Sequence, residues 1–401
     1  MQTIAILKNT IQEYAWGSLT AIADLLGISS PTNTPQAELW MGAHPKAPSR
    51  VMSDGKWISL LELIEKHPAD ILGKTVALKY NNTLPYLFKV LAAAKPLSIQ
   101  AHPDLKQARE GFCRENALEI PLNAPQRNYR DDNHKPECIC ALTPFWALCG
   151  FRKISTIITY FRTLCPRGLT DELAGLTANQ TPEGLKTFFS KLMALDAGRR
   201  KKVTVEAISH VRKRVRDETA YQWILNLSNE YPDDIGIFSP ILLNLICLEP
   251  GQAIFLGAGQ LHAYLDGVGI ELMANSDNVL RGGLTPKHVD VPELLNVLDF
   301  DEREVTLLEP IEKDNYERVY SCPAEEFVLS MISLVENQSY FSTSGRSVEI
   351  LLCTAGAAEL MDNHSCDILS LKKGVSVIVP AAVKGYKIKG KATIYKAAVP
   401  V

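Results

Sequence analysis

Two stretches of this 401-residue chain align without a gap although they lie far apart: LEPGQAIFLGAGQLHAY (248–264) and LKKGVSVIVPAAVKGYK (371–387). Each places a leucine, a glycine three residues on, a short apolar strand and then a turn of small residues. A β-unit of this size cannot bury its apolar face alone, so two copies imply two β-barrel or sandwich domains of related build. The copies are chemically unequal. His262 of the first stands where Gly385 stands in the second, so any ligand role of His262 is missing from the C-terminal copy.

The rest of the chain is organised around these units. From 1 to about 152, short apolar runs alternate with Pro and Gly, as in PYLFKVLAAAKPLSIQAHP and HKPECICALTPFWALCGF, a pattern of strands and turns. From 153 to 235 the spacing turns helical, with Thr181 as N-cap, Pro182 at the first helical position and Pro232 as the stop. This segment reads as a helical insertion. Its cluster Arg199, Arg200, Lys201, Lys202, Arg212, Lys213, Arg214 and Arg216 reads as a solvated helix face. Strands return after 236, broken by TPKHVDVPELLNVLDF, where Asp290 and Glu293 predict a capping box. The segment 321–401 is strand-like to its lysine-dotted end.

Bulk properties narrow the function. A formal charge of −3 argues against nucleic acid as the partner, since a phosphate backbone calls for a basic excess. The N-terminal apolar run is too short for a secretory signal, and no stretch is long enough to span a bilayer. Nine cysteines (113, 138, 140, 149, 165, 247, 322, 353 and 366) without a CxxC pair read as reduced thiols of a cytoplasmic protein. Cys138 and Cys140 lie two apart, but no second pair completes a tetrahedral site. The chain is expected to act without membrane or nucleic acid, as a monomer or weak oligomer.

Of the eight histidines (44, 67, 102, 134, 210, 262, 288 and 364), most belong to packing or surface. Three segments stand apart. In LSIQAHPD (97–104), Ser98, Gln100 and His102 alternate along a strand and so share one face, and Pro103 holds His102 extended. In NHKPEC (133–138), Lys135 and Glu137 share a face; in GAGQLHAYLDG, His262 follows a glycine-rich turn. An amide oxygen, a carboxylate and two imidazoles make an acceptable zinc set, although no single spacing is diagnostic. Such a centre suits a reaction that builds negative charge on oxygen, and Lys89, Lys135 and Arg281 lie close enough in sequence to hold an anion. GIELMANSDNVLRGGLTPK (269–287) crowds Glu271, Asn275, Asp277, Asn278 and Arg281 beside Gly282 and Gly283, as the wall of a site does.

These motifs have a family resemblance. YAWGS (14–18), AELWMGAHP (37–45), PLSIQAHPD (96–104), RNYRDDNHKPE (127–137), SPILLN (239–244) and GIELMANSDNVLRGGLTPK resemble, in order and spacing over the whole chain, the type I mannose-6-phosphate isomerases, most closely the bacterial ones. The resemblance implies a mainly β fold with an α-helical insertion: two related cupin-type jelly-roll barrels plus a helical domain. It implies a catalytic jelly-roll of 1–152 and 236–320, a helical domain of 153–235, and a C-terminal jelly-roll-like domain of 321–401 without the metal histidine. It implies one Zn²⁺ per chain on Gln100, His102, Glu137 and His262. Lys89, Lys135 and Arg281 match the family's active-site basic residues, Glu271 its acid, and Ser98 a position near substrate. FLGAGQLHAY departs from the family's usual turn but keeps His262, Ala263 and Tyr264.

The implied activity is aldose–ketose isomerisation of mannose 6-phosphate and fructose 6-phosphate through a cis-enediol. Arg281 and zinc would hold the enediolate charge, and either Glu271 or Lys135 would move the proton. Lys89 and Ser98 are the candidates for phosphate or sugar hydroxyls. Two other readings share the scaffold: a sugar-binding or regulatory protein without turnover, and a zinc hydrolase.

Overall fold

The computed structural model describes residues 2–53, 55–165, 167–313, 316–363 and 368–401, so His364 and Cys366 lie outside the described residues. The strands fall into two antiparallel sheets of 11 strands each, the two jelly-roll units, and a cluster of helices between Ile154 and Leu242 packs on the first.

Each unit is built around one long bent strand. His262–Ala274 pairs in its first part with Ile99–Ala101 and Phe145–Phe151, and in its second with Tyr86–Ala93 and Glu137–Ala141. One strand can serve both layers only if it bends. The bend is at Gly267, whose φ of +121° puts a would-be Cβ 2.6 Å from the Pro144 carbonyl oxygen. The second unit repeats the device. Tyr386–Ala398 bends at Gly390, φ +148°, where a Cβ would meet the Ala357 carbonyl oxygen at 2.6 Å. The alignment seen in sequence extends through these two glycines, and the short strands Ala253–Leu256 and Ser376–Val379 fall at matching positions within it.

The units are stitched together by the N-terminus. Ala5–Lys8 lies between Ser376–Val379 and Arg50–Ser53 in the second sheet, with Ala5 opposite Ile378 and Leu7 opposite Val51. Pro310–Glu312 and Glu317–Tyr320 join that sheet as well. One apolar core runs from Leu39, Phe88 and Ile270 of the first unit to Ile350, Ile378 and Ala397 of the second.

The helical region forms as its spacing predicts. Thr181 Oγ1 accepts from the Gly184 amide, and Pro182 opens the helix Pro182–Met193. Ile154–Leu164 and Ala197–Arg214 bury Ile157, Phe161, Val203 and Ala207 in a core that includes Leu261, Ala263 and Leu265 beside the site. The basic residues of 199–216 are exposed apart from the half-buried Arg200. The predicted capping box at Val291–Val297 forms only by half. Asp290 accepts from the Glu293 amide, but the Glu293 carboxylate turns to Arg114 and the Tyr129 hydroxyl. A complete box forms instead at Leu105–Ala117, where Asp104 and Gln107 cap each other reciprocally. No described helix is long and apolar enough to cross a membrane.

Candidate metal centre and active site

Strand register assembles the site. His262 opens its long strand directly opposite Gln100, and Gln100 lies opposite Arg281 on the other side. Residues opposite one another share a face, so imidazole, amide and guanidinium form a row across three strands. A second row crosses the same sheet: Ile139, Glu271, Lys89 and Trp40. Glu137 sits two residues before Ile139, which puts its carboxylate on the same side, nearer the histidines.

His102, Glu137 and His262 converge in the interior. All three are 0–1 % exposed, and one ligand atom from each lies within 4.8 Å of the others. Nε2 of His102 stands 3.3 Å from Glu137 Oε1, and Nε2 of His262 stands 3.4 Å from Oε2. Both Nε2 atoms and Glu137 Oε2 are buried without a hydrogen-bond partner. Buried polar atoms are costly when unsatisfied, and three of them aimed at one point fit a cation. The opposite ring nitrogens are fixed: Nδ1 of His102 faces the Asn278 carbonyl at 2.8 Å, and Nδ1 of His262 the Gln260 carbonyl at 2.8 Å. With Nδ1–H donating to a carbonyl, each Nε2 keeps its lone pair for a metal. Burial lowers the His102 pKa to about 4, so the ring is neutral near pH 7. Burial would raise the Glu137 carboxyl, but the Lys135 ammonium, 3.0 Å away, and His102 hold it well below the usual range. Two imidazoles and one carboxylate, with the Gln100 amide beside them, are a donor set suited to zinc.

The Asn278 carbonyl that orients His102 is itself held. Asp131 accepts from Ser276 Oγ, the Asp277 amide and Asn278 Nδ2, folding the turn 276–278 onto the site. Asp277 meets Lys46 at 2.8 Å, and Asn275 Nδ2 donates to the Leu84 carbonyl. The polar density read in 269–287 is therefore divided. Glu271 and Arg281 face the site, while Asn275, Asp277 and Asn278 build its support.

A cleft of about 580 Å³ opens above the metal ligands. Ser98, Gln100, Lys135, Glu137, Lys89, Glu271 and Arg281 all contribute to its walls. A larger groove of about 820 Å³ elsewhere, lined by Leu142, Gln252, Leu308 and Tyr395 among others, holds none of them. Lys89 is buried and gives its ammonium to Glu271 at 2.7 Å, with Glu38 at 3.8 Å. Burial favours its neutral form, but Glu271 and Glu38 outweigh this and raise its pKa, so Lys89 stays charged. For Glu271, burial raises the pKa, Lys89 opposes, and Glu137 and Glu38 add to the rise. The result is a carboxyl primed to hold a proton.

Sequence reasoning passed over three participants. Glu38 takes the Trp40 indole N–H at 2.6 Å and shares Lys89. Its clue was a charge inside the apolar run ELWM. Asp131 was one of two adjacent acids with nothing to single it out. Lys287 lines the cleft near Arg281, and its pKa is lowered by burial, Arg281 and Arg130. Arg281, Arg130 and Lys287 act on one another electrostatically, and among the described residues none of the three is ion-paired to a carboxylate, which makes a place for an anion.

His44 supplies an acid-sensitive element behind the wall. It is buried beneath Trp40, 3.8 Å from Asp277, and burial lowers its pKa to about 4. The folded state therefore holds a neutral ring that the unfolded chain would protonate below about pH 6.5. Stability from this residue is complete above pH 6.5 and drains away as pH falls towards 4, by up to about 3 kcal/mol. A His44→Gln variant is expected to show a flatter loss of urea midpoint over that window, measured on chelator-treated protein so that metal release does not contribute. An unchanged slope would refute the assignment.

Known proteins share this architecture. A model for the catalytic domain of type I phosphomannose isomerase matches residues 4–154, and one for that family's helical insertion domain matches 170–243. The mannose-6-phosphate isomerase of Escherichia coli (strain K12) is 40% identical over 389 residues, 96% of each chain. That of Homo sapiens is 36% identical over 353 residues, 80% of each. A crystal structure of zinc-bound mannose 6-phosphate isomerase superposes with a TM-score of 0.91 at 39% identity, covering 99% of this chain and 100% of that one.

Proposed function

The chain belongs to the type I phosphomannose isomerases, and from that premise we propose that its cleft interconverts mannose 6-phosphate and fructose 6-phosphate through a cis-enediol. The observation that carries this reading is the convergence of three unsatisfied buried ligand atoms beneath a cleft walled by Glu271, Lys135 and Arg281. A mere sugar binder has no use for such a set.

His102, Glu137 and His262, with the Gln100 amide, would hold the zinc. When bound, it supplies a Lewis acid against negative charge growing on substrate oxygen. The Glu271 carboxylate takes the proton from C2 of the open-chain aldose. The released pair moves through the C1 carbonyl to its oxygen, giving the enediolate. Arg281 offers two parallel N–H groups to that charge, already oriented by the strand. The proton then returns to C1 while the C2 hydroxyl gives up its own proton to O1, and the ketose results. Lys89, by sharing its charge with Glu271 and Glu38, keeps Glu271 ionised often enough to act as a base. Lys135 is the rival base; its engagement with Glu137 favours a role in holding that ligand's charge. Ser98 and Lys287 stand on the wall where the 6-phosphate would lie.

In this reading the chemistry sits in the jelly-roll of 1–152 and 236–320, with 153–235 as its helical buttress and 321–401 without a metal of its own. We also assign the protein to the cytoplasm, which suits the free thiols of all eight described cysteines.

Coupled conversion of mannose 6-phosphate, with and without a chelator, tests the proposal. Activity is expected to vanish on chelation and return with Zn²⁺, and a Lys287→Met variant should show raised KM with a smaller change in kcat. Turnover untouched by complete metal removal would exclude the reading.

A further inference from the structure

The C-terminal jelly-roll carries a buried charged cluster that the isomerase reaction does not use. Lys396, 6% exposed, places its ammonium 2.7 Å from Glu317, 3.6 Å from Glu349 and 3.2 Å from the Tyr340 hydroxyl. Glu317 and Glu349 are likewise buried, and Arg346 reaches Glu349 at 3.4 Å.

Strand register shows where these residues stand relative to the catalytic unit. The sequence repeat matches Leu256 with Val379. Leu256 lies opposite Glu137, and Val379 opposite Glu349. On the far side, Glu137 faces Met273 and Glu349 faces Ala398. Two residues back along those long strands stand Glu271 and Lys396. They face Lys89 and Ser330 respectively. Two residues on from these come Leu91 and Ile332, which face Glu38 and Glu317. Position by position, Glu349 answers to Glu137, Glu317 to Glu38, Lys396 to Glu271 and Ser330 to Lys89. All lie an even number of residues apart along alternating strands, so they share the inner face in both units.

We propose that Lys396 is the built-in cation of a duplicated acidic frame: its ammonium neutralises Glu317 and Glu349, and removing it uncovers a divalent-cation site. In the catalytic unit the carboxylates have lysines of their own, Lys89 beside Glu271 and Glu38 and Lys135 beside Glu137, and would share a metal held with two histidines. In the C-terminal unit Gly385 stands for His262, and one lysine reaches both carboxylates from the strand position where the first unit has Glu271. Burial would lower the Lys396 pKa, but Glu349, Tyr340 and Glu317 raise it on balance. Burial would raise Glu317, and the Lys396 charge holds it down. The lysine thus stays charged near neutral pH, and its ammonium stands where a metal would otherwise balance the two carboxylates. Two carboxylates and a phenol oxygen left without it form a hard-donor set suited to Mn²⁺.

The test uses the full-length protein and counts metal rather than turnover, so its outcome is separate from that of the isomerase reading. Lys396→Ala is expected to lower the unfolding midpoint by several degrees. Titration with Mn²⁺ should then load one more ion per chain than the unsubstituted protein takes and recover most of the lost midpoint. Adding Glu349→Gln should abolish the extra ion. A folded Lys396→Ala protein that is as stable as its parent, or that takes up no extra Mn²⁺ at millimolar concentration, overturns the proposal. Should Lys396→Ala fail to fold, Lys396→Met is compared with the triple variant Glu317→Gln, Glu349→Gln, Lys396→Met. Recovery of folded protein in the neutral triple supports the assignment, and a triple as defective as the single refutes it.

Discussion

In a His102→Ala variant, bound zinc falls to a small fraction of one per chain, and isomerase activity falls with it. His102 offers one of only two imidazole nitrogens to the centre, and no described side chain beside it can take its place. Losing several kcal/mol of charge stabilisation in the transition state corresponds to a fall on the order of 10³-fold in kcat. The fold should survive. His102 follows the short strand Ile99–Ala101, and the turn 276–278 keeps its Asp131 bonds when the His102 ring is removed. Zinc per chain by mass spectrometry and coupled turnover, both on protein with an unchanged circular dichroism spectrum, check the expectation. Full activity in a zinc-free variant would sink the metal assignment altogether.

A Glu271→Gln variant separates binding from proton transfer. The amide is isosteric, keeps the cleft shape and cannot act as a base, so zinc content should be unchanged while kcat falls by roughly 10²- to 10⁴-fold. Removing the carboxylate also leaves Lys89 with Glu38 alone, at 3.8 Å, so a modest drop in thermal stability accompanies the change. The decisive readout is exchange of the C2 hydrogen with solvent deuterium in a single turnover. Exchange near the parent rate would move the base role to Lys135.

How much of this was legible beforehand differs by kind of information. Gln100, His102 and Glu137 could be picked out because each sits in a short segment whose polar alternation clashes with its apolar neighbours, and His262 because it follows a glycine-rich turn. The helical insertion could be seen because Thr181 and Pro182 act locally. Pairing partners were another matter. Nothing in AILK or RVMS specifies that these strands complete the sheet of the C-terminal unit, since backbone hydrogen bonding is blind to sequence and register is set by tertiary packing. The capping boxes show the same division. Asp290 with Glu293 and Asp104 with Gln107 are equally good on paper, yet only the second closes, because Arg114 and Tyr129 draw the Glu293 carboxylate away. Glu38 was opaque for a related reason: its partner Lys89 comes from a neighbouring strand far along the chain.

The strand Ala5–Lys8 is separated along the chain by roughly 370 residues from the strand it pairs with, Ser376–Val379. At 5–20 residues per second, roughly 20 to 75 s of synthesis pass between the two. For that interval the nascent chain can pair the strand only with the hairpin Arg50–Ser59. The apolar residues destined for the shared core, Leu7 and Val51 among them, wait with one side uncovered. The strands Arg50–Ser53 and Lys56–Ser59 are thus the part of that sheet already made when Ala5–Lys8 still lacks its second neighbour.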